Sequence, residues 1–248
     1  MIDYQPYADY FNVLGKSKEN VRVIKNFIDQ EDLKIINDFL DTQKDNDEFM
    51  GGKDLQQKDV RKKNPVVADL LVKYEKKIYE TVKKFFTEEN GIPVKRTPVN
   101  ATHFVKWIPG MNSKLHSDCE KPDGSPAWAA DFYKYNVSVL MYPNDAYTGG
   151  EITFPDYNLV VKPEAGSFIM FPGNNNYKHT VERVEDGTRY TMPSWYSFDV
   201  GSATYVNPNS KNLSYKDSVQ LWEGLPDYDK IDPVGIDVKG KNFNDERS

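Results

Sequence analysis

The chain has 248 residues, a formal net charge of −6 and one cysteine, Cys119. That length suits one large domain or two small ones and is ample for a real core. The acidic balance does not attract a phosphate backbone, which argues against a nucleic-acid substrate, and a single thiol excludes an intrachain disulfide and points to a reducing compartment.

The first residues, MIDYQPYADYF, show neither the basic nor the apolar region of a secretory leader. No apolar run approaches the roughly 20 residues of a membrane span. The expectation is a cytoplasmic protein with no membrane partner and no nucleic-acid partner; nothing in the chain speaks to its oligomeric state. Residues 20–28 (NVRVIKNFI) alternate as a strand does. Asp29 to Glu31 then offer a helix start, and Leu33, Ile36, Phe39 and Leu40 recur at helical spacing. Residues 44–64 are polar around Gly51-Gly52 and predict a mobile loop. Helical periodicity returns over 65–88 through Val67, Leu70, Leu71, Tyr74, Ile78, Val82 and Phe85/Phe86. The lysine pairs in this stretch, 76-77 and 83-84, read as a solvated face.

From about residue 98 the period becomes two. ATHFVKWI, YNVSVLMY, EITF, LVVKP, SFIMF, KHTVERV and RYTMPSWYSFDV are short, β-branched and aromatic, with Gly, Pro, Asn and Asp between them. Such spacing predicts a sandwich, barrel or jelly roll rather than parallel βαβ units. The tail beyond about residue 203 is polar; Leu221, Trp222 and Leu225 are its docking candidates, and the final dozen residues read as disordered. We therefore expect one domain over 1–248. It divides into N-terminal helical support at about 20–97, a β core at about 98–202 and a C-terminal extension at 203–248.

His116 and Asp118 stand as H-S-D, and strand residues two apart point the same way, so an imidazole and a carboxylate can reach one metal together. His179 can supply a third ligand from another strand. The chain has only three histidines, so two of them in this arrangement are informative; the third, His103, reads as structural. Two imidazoles and one carboxylate are the facial set that holds non-haem Fe(II) and leaves positions open for O₂ and a cosubstrate. Arg189 lies ten residues beyond His179. Its guanidinium can take a carboxylate in two parallel hydrogen bonds, which fits 2-oxoglutarate. Alternation places Arg189, Thr191 and Trp195 on one face, provided Pro193 does not shift the register. It also places Asn136, Ser138, Leu140 and Tyr142 on one face. Thr191 and Tyr142 can add hydroxyl donors to the same carboxylate. Two loops, Glu120–Asp131 with Trp128 and the 44–64 loop, are candidates for the pocket mouth.

The run Tyr142-Pro-Asn-Asp, Gly149-Gly150-Glu151-Ile-Thr-Phe-Pro155, Val161-Lys-Pro163, Gly166, Phe171, His179, Arg189 and Trp195 resembles the 2-oxoglutarate and Fe(II)-dependent dioxygenases. Within them it is most similar to the prolyl-4-hydroxylase-like branch, over roughly residues 98–200. The resemblance implies a mainly β fold: a double-stranded β-helix, or jelly roll, buttressed by helices. It implies His116, Asp118 and His179 as iron ligands and catalytic residues, and Arg189 as the partner of the far carboxylate of 2-oxoglutarate. The cofactor set is then Fe(II), 2-oxoglutarate and O₂, with ascorbate as a candidate accessory. Trp107 stands where many prolyl hydroxylases carry a cosubstrate-binding tyrosine, so Tyr142 takes more of that role. Tyr135 stands where an arginine tied to substrate handling is often found. Trp195, Tyr135 and Trp128 are the candidate substrate-binding residues.

The implied activity is hydroxylation of a prolyl residue in a peptide or protein, releasing succinate and CO₂. Open alternatives are a free amino acid or small metabolite as substrate, or a non-catalytic jelly-roll binding module. Asp118 argues against halogenation, which needs a small residue at that position, and no second arginine follows Arg189 as in nucleic-acid demethylases. The segment GIDVKGKN at 235–242 nearly matches a phosphate-binding loop but ends in Asn242 and lacks a preceding strand.

Overall fold

The computed structural model describes residues 4–46, 49, 54–97, 102–127 and 129–200. The C-terminal extension, with Leu221, Trp222, Leu225 and the 235–242 segment, lies outside the described residues, as does Trp128.

The chain opens with α1 (Gln5–Leu14), then β1 (Arg22–Ile24) and α2 (Gln30–Asp41). α2 starts from an extended Asp29, with Glu31 and Asp32 in its first turn, where carboxylates favour the positive end of the helix dipole. It buries Leu33, Ile36, Phe39 and Leu40, the set that helical spacing picked out. α3 (Gln57–Lys63) leads into α4 (Pro65–Lys83). Asn64 caps α4 by accepting a hydrogen bond from the Val67 N–H at 3.2 Å, and Pro65 sits in the first turn, where its missing N–H costs nothing. The helix ends in a π-turn over Lys84–Glu89. The wider turn lets two consecutive aromatics, Phe85 and Phe86, both point inward.

The strands that follow are β2 (Val94–Arg96), β3 (Val105–Trp107), β4 (Val137–Tyr142), β5 (Tyr147–Gly149), β6 (Ile152–Phe154), β7 (Leu159–Val161), β8 (Ser167–Pro172), β9 (Thr180–Val181), β10 (Val184–Gly187) and β11 (Arg189–Phe198). All their pairings are antiparallel. The major sheet runs β1-β8-β4-β11-β2, and β3 pairs with the first part of β11. The smaller sheets are β7-β6-β9 and β10-β5. This is the jelly roll that the β-rich half predicts.

Period-two alternation divides the interior into two compartments. Val137, Val139 and Met141 of β4, Phe168 and Met170 of β8, and Tyr190, Met192, Tyr196 and Phe198 of β11 belong to the helix-side core with Tyr74, Ile78 and Val82 of α4. The opposite face turns Tyr142, Ile169 and Phe171 toward Ile152 and Phe154 of the second sheet. Paired residues share a face, so Ser138, Leu140 and Tyr142 line the same interior as Trp195, Pro193, Thr191 and Arg189. Pro193 pairs with Leu140 and leaves the register unbroken. It sits between the end of β3 pairing at Thr191 and the start of β2 pairing at Tyr196, so no ladder bond is lost on that side.

Three sequence expectations need correction. The strand read over 20–28 shrinks to β1, because Asn26 takes a left-handed φ of 54° and the Phe27 and Ile28 amides turn to the Gly166 carbonyl. The 44–64 loop contains α3, a short amphipathic helix fixed by burial of Gln57 and Val60. The 20–97 support is not purely helical, since β1 and β2 extend the major sheet, and α1 precedes it with Tyr7 and Phe11 buried.

Candidate metal and cosubstrate site

The His116-x-Asp118 segment runs beside the chain leading to β9. His116 and His179 exchange both backbone hydrogen bonds, at 3.0 and 2.8 Å, and the Asp118 and Cys119 amides both donate to the Gly173 carbonyl. This stitching sets two distant stretches of sequence side by side. One ligand atom from each of His116, Asp118 and His179 lies within 4.8 Å of the others. The His116 Nε2 is 3.6 Å from Asp118 Oδ1, and the His179 Nε2 is 4.0 Å from Asp118 Oδ2.

The second contacts of these side chains select their metal-facing atoms. The Nδ1–H of His116 donates to the Lys114 carbonyl at 2.7 Å, and that of His179 to the Tyr177 carbonyl at 3.1 Å. A carbonyl can only accept, so each ring carries its proton on Nδ1 and turns the Nε2 lone pair inward. Ser138 of β4 donates a short hydrogen bond to Asp118 Oδ2 and holds the carboxylate in place. The rings of Phe171 and Phe154 stand 4.7 and 5.7 Å from the His179 ring and keep that side apolar. Two imidazoles and one carboxylate, with their ligand atoms converging, fit a divalent transition metal such as Fe(II).

At the other end of the same interior lies Arg189, only 1% exposed. No carboxylate among the described residues pairs with it. Its Nη2 meets the Tyr142 hydroxyl at 3.4 Å, while Nε and Nη1 have no hydrogen-bond partner. The guanidinium is sandwiched by aromatics, with the Trp107 ring at 5.1 Å and the Tyr142 ring at 5.2 Å. These cation–π contacts soften the cost of burial without supplying a counter-charge. Trp107 is opposite Arg189 in the β3–β11 ladder, and its indole N–H donates to Thr191 at 3.3 Å. Its one polar hydrogen is thus spent inside the protein. Trp107 braces the cation, and the Thr191 hydroxyl keeps its own hydrogen to give. Burial pushes the Tyr142 phenol up to about 12, with the Arg189 charge opposing the rise, so Tyr142 is a neutral donor.

Trp195 and Tyr135 stack at 4.9 Å with an interplanar angle of 18°. Trp195 pairs with Ser138, which places its ring on the triad's side of the sheet. Tyr135 is 3% exposed and lies deeper. His103 is buried with its Nε2 3.2 Å from Asp54, away from the metal cluster, as its structural reading expects. The Glu120–Asp131 loop is tied down at its base, where Glu120 accepts hydrogen bonds from the Asn175 amide at 2.8 Å and the Tyr4 hydroxyl at 3.3 Å.

Three contributors escape sequence reasoning. Ser138 lies on the correct face, yet its contact to Asp118 depends on how a loop approaches β4. Gly150, at φ +68°, stands where a Cβ would come within 2.8 Å of the Arg189 Cδ. Tyr147 is buried with an unpartnered hydroxyl and sits in a loop-rich stretch with no periodicity to mark it.

Residues 102–197 match the family model of the 2OG-Fe(II) oxygenase superfamily. No curated protein sequence matches the chain. Among solved structures, the chain is similar to a prolyl 4-hydroxylase from Phytophthora capsici, with 16% identity and a TM-score of 0.56 over 90% of this chain and 74% of that one. It is also similar to a prolyl hydroxylase from Trichoplax adhaerens, solved with a hypoxia inducible factor peptide fragment. The identity there is 17% and the TM-score 0.52, over 78% and 90% of the two chains. A viral collagen prolyl hydroxylase from Paramecium Bursaria Chlorella virus-1 gives 16% identity and a TM-score of 0.50, over 74% and 98%. At these identities the likeness is one of fold.

Proposed function

We propose that this chain, whose residues 102–197 carry the 2OG-Fe(II) oxygenase signature, is an Fe(II)- and 2-oxoglutarate-dependent dioxygenase that hydroxylates a prolyl residue in a peptide or protein. The observation that carries the oxygenase reading is the pairing of two unfinished groups in one interior. A His116–Asp118–His179 cluster converges on one point, and a buried guanidinium lacks any carboxylate partner among the described residues.

In this reading His116, Asp118 and His179 hold the metal. Bound iron supplies oxidation of a substrate C–H bond by O₂, coupled to conversion of 2-oxoglutarate into succinate and CO₂. The protein's residues do the rest. Arg189 fixes the far carboxylate by charge-assisted hydrogen bonds, Tyr142 and Thr191 add donors, and Trp107 braces the guanidinium. Ser138 orients the Asp118 carboxylate. Phe154 and Phe171 exclude water behind His179.

The substrate side is the side of His116, the most exposed ligand, whose side chain is 21% accessible against 6% for the other two. Leu115 beside it is 52% exposed and offers an apolar contact for a bound peptide. Trp195, stacked on the buried Tyr135 and paired with Ser138 in the ladder, is the candidate aromatic contact for a pyrrolidine ring. The fold shared with prolyl hydroxylases, one of them solved in complex with a peptide fragment, supports the prolyl assignment. The experiment is to incubate iron-loaded protein with 2-oxoglutarate, ascorbate and proline-containing peptides and to read a gain of one oxygen by mass. Succinate formation that responds to none of these peptides overturns the prolyl assignment and directs the search to free amino acids and small metabolites.

A further inference from the structure

We propose that Tyr147 is a second phenol donor to the far carboxylate of the cosubstrate and so helps the site select a dicarboxylate over a monocarboxylate 2-oxo acid. The inference rests on the oxygenase reading above and names a residue that the sequence does not mark. Tyr147 opens β5 and is 6% exposed; its hydroxyl makes no hydrogen bond of good geometry, and Arg189 acts on it through its charge and as a loose donor, which leaves the phenol hydrogen free to give. A phenol buried in this way is costly unless something supplies an acceptor.

Gly150 defines where the hydroxyl's surroundings lie. A Cβ built there would stand 2.8 Å from the Arg189 Cδ and 3.3 Å from the Tyr147 Cε2. The arginine stem and the tyrosine ring therefore meet over the one residue that has no side chain to separate them. Three donors are left unsatisfied in this small volume: the Tyr147 hydroxyl and the Nε and Nη1 of Arg189. A single carboxylate can take Nη2 together with either Nε or Nη1 and can accept from the Tyr147 hydroxyl as well. It takes the guanidinium along one edge, and its two oxygens still offer lone pairs to Tyr147 and Tyr142. Burial raises the Tyr147 phenol above its ordinary value, with the Arg189 charge opposing the rise, so it is protonated and able to donate at neutral pH. A monocarboxylate 2-oxo acid satisfies none of these donors. Leaving them buried and empty is the penalty that sets selectivity.

The test compares the full chain with Tyr147→Phe and Arg189→Met, each loaded with Mn(II), by calorimetric titration of 2-oxoglutarate and of 2-oxovalerate. The second ligand has the same carbon count without the far carboxylate. Phenylalanine keeps the ring and its packing. Tyr147→Phe is expected to bind 2-oxoglutarate about ten- to a hundredfold more weakly, the worth of one hydrogen bond to a charged group, and to bind 2-oxovalerate as the wild type does. If Tyr147→Phe keeps wild-type affinity for 2-oxoglutarate while Arg189→Met loses it, the Tyr147 assignment is overturned and the oxygenase reading stands. If Tyr147→Phe weakens both ligands equally, its effect is packing, and the assignment is again overturned. If Arg189→Met also binds 2-oxoglutarate normally, the reading on which the proposal rests falls with it.

Discussion

Replacing Arg189 by methionine separates what this side chain does for the ligand from what it does for the fold. Methionine has similar length and no charge. In the ligand-free protein the substitution removes two cation–π contacts, at 5.1 and 5.2 Å, worth about 0.5–2 kcal/mol each, and one long hydrogen bond to Tyr142 at 3.4 Å. It also removes two buried N–H groups that have no partner, each costing about 1–3 kcal/mol. The two sides nearly cancel. We therefore expect a ligand-free stability within about 2 kcal/mol of wild type, or a melting shift of at most about 8 °C for a chain of this size. The ligand term has no such cancellation. Two charge-assisted hydrogen bonds at about 1.5–3 kcal/mol each predict binding of 2-oxoglutarate weakened roughly 10²- to 10⁴-fold. Thermal melts with Mn(II) and 2-oxoglutarate read both effects. At a hundred times the wild-type dissociation constant the wild type gains about 2.7 kcal/mol, which is about 5–10 °C, and Arg189→Met at the same concentration gains at most about 0.4 kcal/mol, under about 2 °C. A variant that keeps the wild-type ligand shift refutes Arg189 as the anchor. One that loses more than about 5 kcal/mol without ligand shows that the guanidinium is a pillar of the fold rather than an unfinished site.

His116→Ala and Asp118→Ala are each expected to abolish substrate-dependent turnover of 2-oxoglutarate and to weaken Mn(II) binding severely; wild-type-like turnover in either removes the metal assignment. Ser138→Ala deletes the donor that holds Asp118 Oδ2 and should lower metal affinity about ten- to a hundredfold in a Mn(II) titration, so an unchanged affinity would show that the carboxylate is positioned without it. Gly150→Ala places a Cβ 2.8 Å from the Arg189 Cδ at a φ of +68°, which costs about 1–2 kcal/mol in backbone strain and pushes the guanidinium away. The KM for 2-oxoglutarate should rise several-fold, and a KM equal to wild type would show that the arginine stem adapts. Burial pushes the Tyr142 phenol up to about 12 from an ordinary 10.0, so between these values the folded protein binds more protons than the unfolded chain. Its contribution is present below pH 10 and falls as pH rises toward 12, by about 3 kcal/mol. Denaturant melts at pH 9 and pH 11 should therefore show a shallower decline for Tyr142→Phe than for wild type.

The convergence of His116, Asp118 and His179 was legible because it rests on local geometry. Two residues two apart on an extended chain must point the same way, and only three histidines had to be placed. Arg189 was legible for a related reason, since a cation in a strand of Tyr, Met and Trp has to be buried against something. The alternation of YNVSVLMY and RYTMPSWYSF also carried through, because a one-residue slip would have exchanged Val139 and Met141 for Ser138 and Tyr142 in the helix-side core. The misreadings fall where tertiary contact overrides local pattern. The polar stretch 44–64 holds α3 because Val60 finds a core to enter, and residues 20–28 end as a strand because Asn26 turns the chain toward Gly166. Trp107, at the place of the family's cosubstrate-binding tyrosine, takes its surroundings from its ladder partner. Opposite Arg189, its indole lies against the cation and its N–H goes to Thr191.

The two halves of the site are joined by one strand. β4 meets Asp118 through Ser138 and Arg189 through Tyr142, four residues later on the same face. At about 3.3 Å per residue the strand sets a spacing of roughly 13 Å between its two contact points. Leu140 lies between them with no polar group to offer. Along β4 the interior is therefore polar at its two ends and apolar between them, a lining compatible with a dicarboxylate. The ruler is rigid because β4 is central, paired with β8 on one side and β11 on the other. Register on β4 thus fixes the Asp118 contact relative to the Arg189 contact.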